Sequence, residues 1–293
     1  MKHSPFCAPY YVFIQDPGCG GTVRRPCAGP ENLNASTDRR PRFPHLAQLI
    51  APNLVLTAAH CLPRKPSKLK GNTVLIGGNQ FNLRGNKVLT SCCPFGAVET
   101  KIRKAIPHPD YGRIINDLAI LEVDPVDPKY TVCPSPTPLS VGDDTMAMGL
   151  GDTSSGGTSG EYPEWLQFGH HEIYPPSVCA YYKEYEGIYG ERPLKDYYLC
   201  AAGNWHYGTP GQADPEDYRY ICYGDSGTGL MKRRGDLWDV GGVVSWGDTL
   251  DGRGCGVYPE SFVNLHHPES ISFIKSRLRA ARSAAGMAQC PGW

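Results

Sequence analysis

Glycine and proline punctuate this chain more densely than any long helix tolerates. The 293 residues include 34 glycines and 27 prolines, about one residue in five where roughly one in eight is average. Glycine costs a helix backbone entropy, and proline removes a hydrogen bond and clashes with the preceding turn. Coiled coils and helical repeats are thereby excluded. Between the turn residues stand short β-branched and aromatic runs: Val55-Leu56-Thr57, Thr73-Val74-Leu75-Ile76, Leu118-Ala119-Ile120-Leu121-Glu122-Val123 and Gly242-Val243-Val244-Ser245-Trp246. Many short antiparallel strands, an all-β chain, are the expected result.

Charge and cysteine content narrow the class further. With 29 basic and 29 acidic side chains the formal net charge is zero, so the basic face that nucleic acid requires is not expected. No apolar run approaches the roughly 20 residues of a membrane span. The twelve cysteines include no Cys-x-x-Cys pair, and adjacent Cys92-Cys93 does not supply zinc-ligand spacing. Disulfides in an oxidising compartment are expected instead. The sequon Asn34-Ala35-Ser36 agrees with secretion, although such triplets are frequent. Met1-Lys2-His3-Ser4-Pro5 leads directly to Tyr10-Tyr11-Val12-Phe13-Ile14, which reads as a strand rather than a leader. The reading therefore expects a signal already removed or a start lying upstream. The pairs His170-His171 and His266-His267 are expected to be surface histidines rather than metal ligands, because neighbours on a strand face opposite ways.

The proline cluster Cys133-Pro134-Ser135-Pro136-Thr137-Pro138 reads as a crossover between two β units, since proline does not donate into a sheet. Near the end, Ile271, Ile274 and Leu278 share one helical face, with Ser270 placed to cap and Gly286 beyond the last turn. Two β-barrels with a closing helix fit these signals.

Three segments carry chemistry. Leu56-Thr57-Ala58-Ala59-His60-Cys61 ends a hydrophobic strand in small residues and a histidine. Asn116-Asp117-Leu118-Ala119-Ile120-Leu121 sets an acid just before an apolar strand, and Cys222-Tyr223-Gly224-Asp225-Ser226-Gly227 sets a serine in a glycine-flanked turn. Taken singly, each is an ordinary strand end or turn. Together, in the order His, Asp, Ser, they resemble the chymotrypsin/trypsin-like serine proteases. A serine hydroxyl needs a base within hydrogen-bond reach; a histidine with an ordinary pKa near 6.5 suits that role, and a buried aspartate orients the imidazole. The resemblance thus implies Ser226 as nucleophile, His60 as base, Asp117 as orienter, and the N–H groups of Gly224 and Ser226 as the oxyanion hole.

It extends over nearly all of residues 5–280. Ala147-Met148-Gly149-Leu150-Gly151-Asp152, Leu199-Cys200-Ala201-Ala202-Gly203, Ser245-Trp246-Gly247 and Gly256-Val257-Tyr258 are similar to further family segments. It implies two antiparallel six-stranded Greek-key β-barrels with a C-terminal α-helix, over residues 5–282: a first barrel at about 5–132, a second at about 139–265 and a helix at about 269–282. It also implies disulfides Cys179–Cys200 and Cys222–Cys255, substrate contacts from Ser245, Trp246, Gly247 and Gly256, no cofactor, and a monomer acting on a protein or peptide substrate.

Four departures stand out. The family's Cys-Gly-Gly-[Ser/Thr] segment occurs here at Cys19-Gly20-Gly21-Thr22, too far upstream, and excising residues 23–48 restores the pattern. That segment is polar and basic, with Arg24, Arg25, Arg39, Arg40 and Arg42. It is read as an insertion, either a surface loop or a translated intron, and a Cys19–Cys61 bond is expected. The family's Ile-Val-Gly-Gly activation sequence, whose freed amino group pairs with the acid at Asp225, does not occur. Gly227-Thr228-Gly229 replaces Gly-Gly-Pro, and Leu150 replaces a tryptophan. At the base of the primary pocket, six residues before the serine, stands Tyr220, so small or apolar P1 residues are expected; a shifted Asp217 is the alternative. The tyrosine-rich stretch Tyr181–Tyr198 is read as packing beneath loops, with a rim of extended substrate sites as the alternative. An inactive protease-like binding protein is the second functional reading. A lipase or esterase is disfavoured, because no Gly-x-Ser-x-Gly elbow stands between a strand and a helix. No partners are assigned to Cys7, Cys27, Cys92, Cys93, Cys133 and Cys290.

Overall fold

In the computed structural model the described residues are 11–14, 45–77, 80–82, 87–89, 97–112, 115–153, 162–179, 197–203, 220–247, 255–256, 258–285 and 290–293. In chain order the strands of the first half are β1 (Tyr11–Ile14), β2 (His45–Ala51), β3 (Leu54–Thr57), β4 (Thr73–Ile76), β5 (Gln80–Asn82), β6 (Lys87–Leu89), β7 (Val98–Pro107) and β8 (Ala119–Val123). The second half has β9 (Cys133–Pro134), β10 (Asp144–Gly149), β11 (Gln167–Tyr174), β12 (Tyr198–Ala202), β13 (Gly229–Arg234), β14 (Leu237–Trp246) and β15 (Glu260–Asn264), followed by a helix over Pro268–Ala285.

β1, β2, β3, β8, β7 and β4 close into a barrel of six strands, and among the described residues β5 pairs only with β6. The second sheet runs β13-β10-β11-β12-β15-β14-β9 and curls back on itself through additional pairing of β13 with β14. It has seven strands where the resemblance implies six. Cys133–Pro134, at the start of the expected linker, pairs in parallel with Asp239 and Val240 of β14. Proline tolerates this place because the strand is two residues long and stands at the sheet's edge.

The expected insertion is corrected at its C-terminal end. His45, Leu46, Ala47 and Gln48 pair with Ile14, Phe13, Val12 and Tyr11 of β1, so they stand inside a barrel strand. Gln48, which the family pattern set at the end of the insertion, is fully buried against the place where the second sheet passes at Gly229. Residues 23–44, Cys19 and the Arg24–Arg42 run lie outside the described residues, as does the sequon at Asn34. The helix also starts earlier than expected. Pro268 opens it, a favoured first-turn position for proline, so Ser270 is a buried residue of the first turn rather than the cap.

β3 is buried at all four positions, because one of its faces fills the first barrel and the other faces the second. Leu56, Leu118 and Ile120 share one core with Met231, Val240 and Val243 of the second sheet and with Phe273, Ile274 and Leu278 of the helix. Truncating a fully buried leucine such as Leu56 to alanine costs about 2–5 kcal/mol. The seam between the barrels is therefore one continuous apolar core. The segments holding the three motifs all emerge from it.

Candidate functional site

At the end of β3, Ala58 and Ala59 are buried and small, and one 3-10 turn over Ala59–Cys61 follows. The turn leaves the His60 side chain 18% exposed. Asp117 lies just before β8 and is 2% exposed. Its Oδ1 accepts the His60 backbone N–H at 2.8 Å, and His60 Nδ1 lies 2.6 Å from Oδ2. Ser245 donates its hydroxyl to the same Oδ2 at 2.6 Å. A carboxylate only accepts, so this geometry assigns the proton to Nδ1 and leaves Nε2 with a lone pair. Burial opposes protonation of the His60 imidazole, but Cys61 and the Asp117 carboxylate outweigh it and raise the pKa well above its usual value.

Ser226 is half-buried in the turn between Gly224 (φ +104°) and Gly227 (φ +86°). A Cβ on Gly227 would stand 2.3 Å from Thr57 Oγ1 and 2.4 Å from the Leu46 carbonyl oxygen. Only glycine lets the serine turn come this close to β2 and to the strand that leads into His60. Among the described hydrogen bonds, none joins Ser226 to His60, and the N–H groups of Gly224 and Ser226 have no acceptor. Triad contacts are often long without substrate and tighten when it binds.

Asp225 is 5% exposed. Its Oδ1 accepts from the Gly151 N–H at 2.7 Å and its Oδ2 from the Cys222 N–H at 3.0 Å, with a further backbone bond from Leu150. Burial raises its pKa to about 6; the three amides pull the other way, and Asp152 adds to the rise. A Cβ on Gly149 or Gly151 would fall within 1.8 or 2.3 Å of the Asp225 carboxylate, so both glycines make room for it. Thr228, one of the departures, is fully buried, and its hydroxyl donates to the Met148 carbonyl at 2.6 Å. The bond ties the serine turn to β10. Leu150 packs in an apolar cluster with Leu46, Leu75, Met146 and Met148.

The remaining site residues surround this centre. Tyr220 is half-buried and packs on Gly256 (φ +81°), where a Cβ would stand 2.5 Å from the tyrosine ring. Cys222–Cys255 ties the serine loop to the segment of Gly256, and Cys179–Cys200 anchors the middle of β12. Ser245, read as a substrate contact, turns its hydroxyl to Asp117, while Trp246 and Gly247 follow toward the surface. Beneath them Tyr198 is buried, its hydroxyl 3.5 Å from Ser245 Oγ and its ring edge-on to Trp246. Tyr197 stacks on His267. Asp217 and Tyr181–Tyr189 lie outside the described residues, as does Cys19, the expected partner of Cys61. A third disulfide joins Cys133 to Cys290, two cysteines to which no partner was assigned. His171 is buried and neutral, burial lowering its pKa to about 4, while His170 faces out.

Sequence reasoning missed the second ring around Asp117. Asn116 holds a left-handed backbone (φ +55°) and donates its Nδ2 to Glu269 on the C-terminal helix. An asparagine directly before the key acid was the available signal, since asparagine tolerates this conformation better than most residues.

The family model described as Trypsin matches residues 46–266. The CLIP domain-containing serine protease B14 of Anopheles gambiae is 26% identical over 296 aligned residues, covering 89% of this chain and 74% of that protein. The Trypsin of Simulium vittatum is 28% identical over 207 residues, covering 68% of each. The matched span contains all three motifs, the serine turn among them. On this match, the chain belongs to the trypsin family.

Proposed function

We propose that the chain is a secreted serine endopeptidase that hydrolyses peptide bonds through an acyl-enzyme. The observation that carries the reading is the Asp117 carboxylate, which accepts both from His60 and from Ser245 and leaves His60 Nε2 as a base. Ser226 Oγ adds to the scissile carbonyl as His60 Nε2 takes its proton. The N–H groups of Gly224 and Ser226 receive the developing oxyanion, and the imidazolium returns the proton to the leaving amine. Water then attacks the ester by the same route, releasing the acid and restoring Ser226. With Tyr220 at its base, packed on Gly256, the primary pocket is read as short and as favouring small or apolar P1 side chains. Three disulfides suit an oxidising, extracellular setting.

Ser226→Ala is expected to lower kcat by about 10⁶, the scale of removing a triad nucleophile. Retention of near-wild-type turnover would sink the assignment. A second reading, an inactive protease-like binding protein, is favoured by two observations: Ser226 makes no described bond to His60, and Asp225 is held by backbone amides alone among the described residues. Labelling by a fluorophosphonate probe at Ser226 supports the enzyme. A folded chain that stays unlabelled supports the binding protein.

A further inference from the structure

We propose that Glu269, in the first turn of the C-terminal helix, positions Asp117 by gripping the side chain of Asn116. The inference rests on the proposed triad for its catalytic consequence, but not for its geometry. Asn116 is 5% exposed and is the one non-glycine residue with positive φ among the described residues. Its carbonyl accepts the Leu118 N–H at 2.7 Å, so the chain folds sharply around Asp117. A side chain disfavours this left-handed backbone, which persists only where its surroundings impose it. Here the imposing contact is Asn116 Nδ2 to Glu269 Oε2 at 2.5 Å, a charge-assisted bond. The glutamate sits at a helix N-terminus, where negative charge is favoured.

The helix meets the same loop a second time. Phe273, four residues after Glu269 and so on the same helical face, packs against the His108 ring with centroids 4.8 Å apart. His108 in turn donates its backbone N–H to the Leu118 carbonyl, on the far side of Asp117. The turn presenting Asp117 is thus held from both ends by one face of one helix. All three donors on Asp117 come from His60 and Ser245, so a rotation at Asn116 moves the carboxylate relative to the imidazole it orients. Glu269 also borders an open cleft of about 480 Å³ with Asp110, Tyr111, Gly112 and Ile115. Its truncation therefore leaves no sealed cavity in the core.

The test is an NMR titration of the His60 imidazole in the full chain, with steady-state kinetics alongside. The groups facing that ring are Asp117 and Cys61. Glu269→Ala is expected to bring the His60 pKa down toward its ordinary value and to lower kcat by about 10–100-fold with KM little changed, the scale of an ångström's misplacement. Glu269→Gln keeps an acceptor of the same shape and is expected to recover both. It also tests the grip should the alanine variant fail to fold. In an Asn116→Gly background, where glycine adopts the left-handed backbone without a tether, Glu269→Ala is expected to add nothing. An unchanged His60 titration in Glu269→Ala, no recovery in Glu269→Gln, or additive effects with Asn116→Gly would each overturn the proposal. If the wild type turns over no substrate and the titration still responds to Glu269, the positioning stands and the enzymatic reading falls.

Discussion

Replacing Asp225 by asparagine separates the charge of this buried carboxylate from its shape. In the folded chain its pKa stands at about 6 against an ordinary 3.8, chiefly because burial disfavours the anion more than the amides of Gly151, Leu150 and Cys222 stabilise it. The folded state therefore holds a proton that the unfolded state has released across this window. Stability must then fall as pH rises from about 4 to about 6. A shift of about two units, at about 1.4 kcal/mol each, sets the loss at about 3 kcal/mol. Asparagine does not titrate, but its amide group faces backbone donors, so the variant carries a constant penalty of about 1–3 kcal/mol. The difference between the two proteins removes every other titrating group, His171 included. Urea unfolding at pH 4, 5, 6 and 7 is expected to show Asp225→Asn gaining about 3 kcal/mol on the wild type over that range. Parallel stability curves would refute the reasoning. A wild type that gains on the variant as pH rises would mean that a cation faces the carboxylate.

Two further predictions concern different parts of the molecule. The acid limb of kcat/KM is expected above pH 6.5, because the base must be neutral and Asp117 and Cys61 outweigh burial in raising the His60 pKa; activity then falls as pH drops through that raised value, and a limb at or below about 6.5 in a pH profile would count against the assignment. Replacing Cys133 and Cys290 together by serine opens a loop with a sequence separation of 157. That is expected to cost about 2–5 kcal/mol in calorimetry or urea unfolding, and a loss below about 1 kcal/mol would mean that the unfolded chain is not the state the bond restrains.

Much of the centre was legible because each motif is local. Small residues after a buried strand announce the turn at His60, and glycines on both sides of Ser226 announce a tight backbone, which Gly227 uses to approach Thr57. The pairing of His60 with Asp117 was legible only through family order. Contacts fixed by tertiary packing left no local trace. Gln48 is fully buried inside a barrel strand, whereas matching the family pattern set it within the excised segment. Cys133 and Cys290 are brought together by the way the tail returns along the linker, where Trp293 and His266 both donate to the Ser135 carbonyl oxygen. Glu269 and Asn116 are 153 residues apart, and neither residue type at its own position signals the other.

The Cys133–Cys290 bond also decides what a cut does to the molecule. Almost the whole second half of the chain, from the linker to the end of the helix, is a closed covalent ring. A single nick in any loop between these two cysteines opens the ring without releasing a fragment, since both new ends stay attached through the sulfurs. The second half of the chain therefore remains one piece after the first such cut, until the bond is reduced.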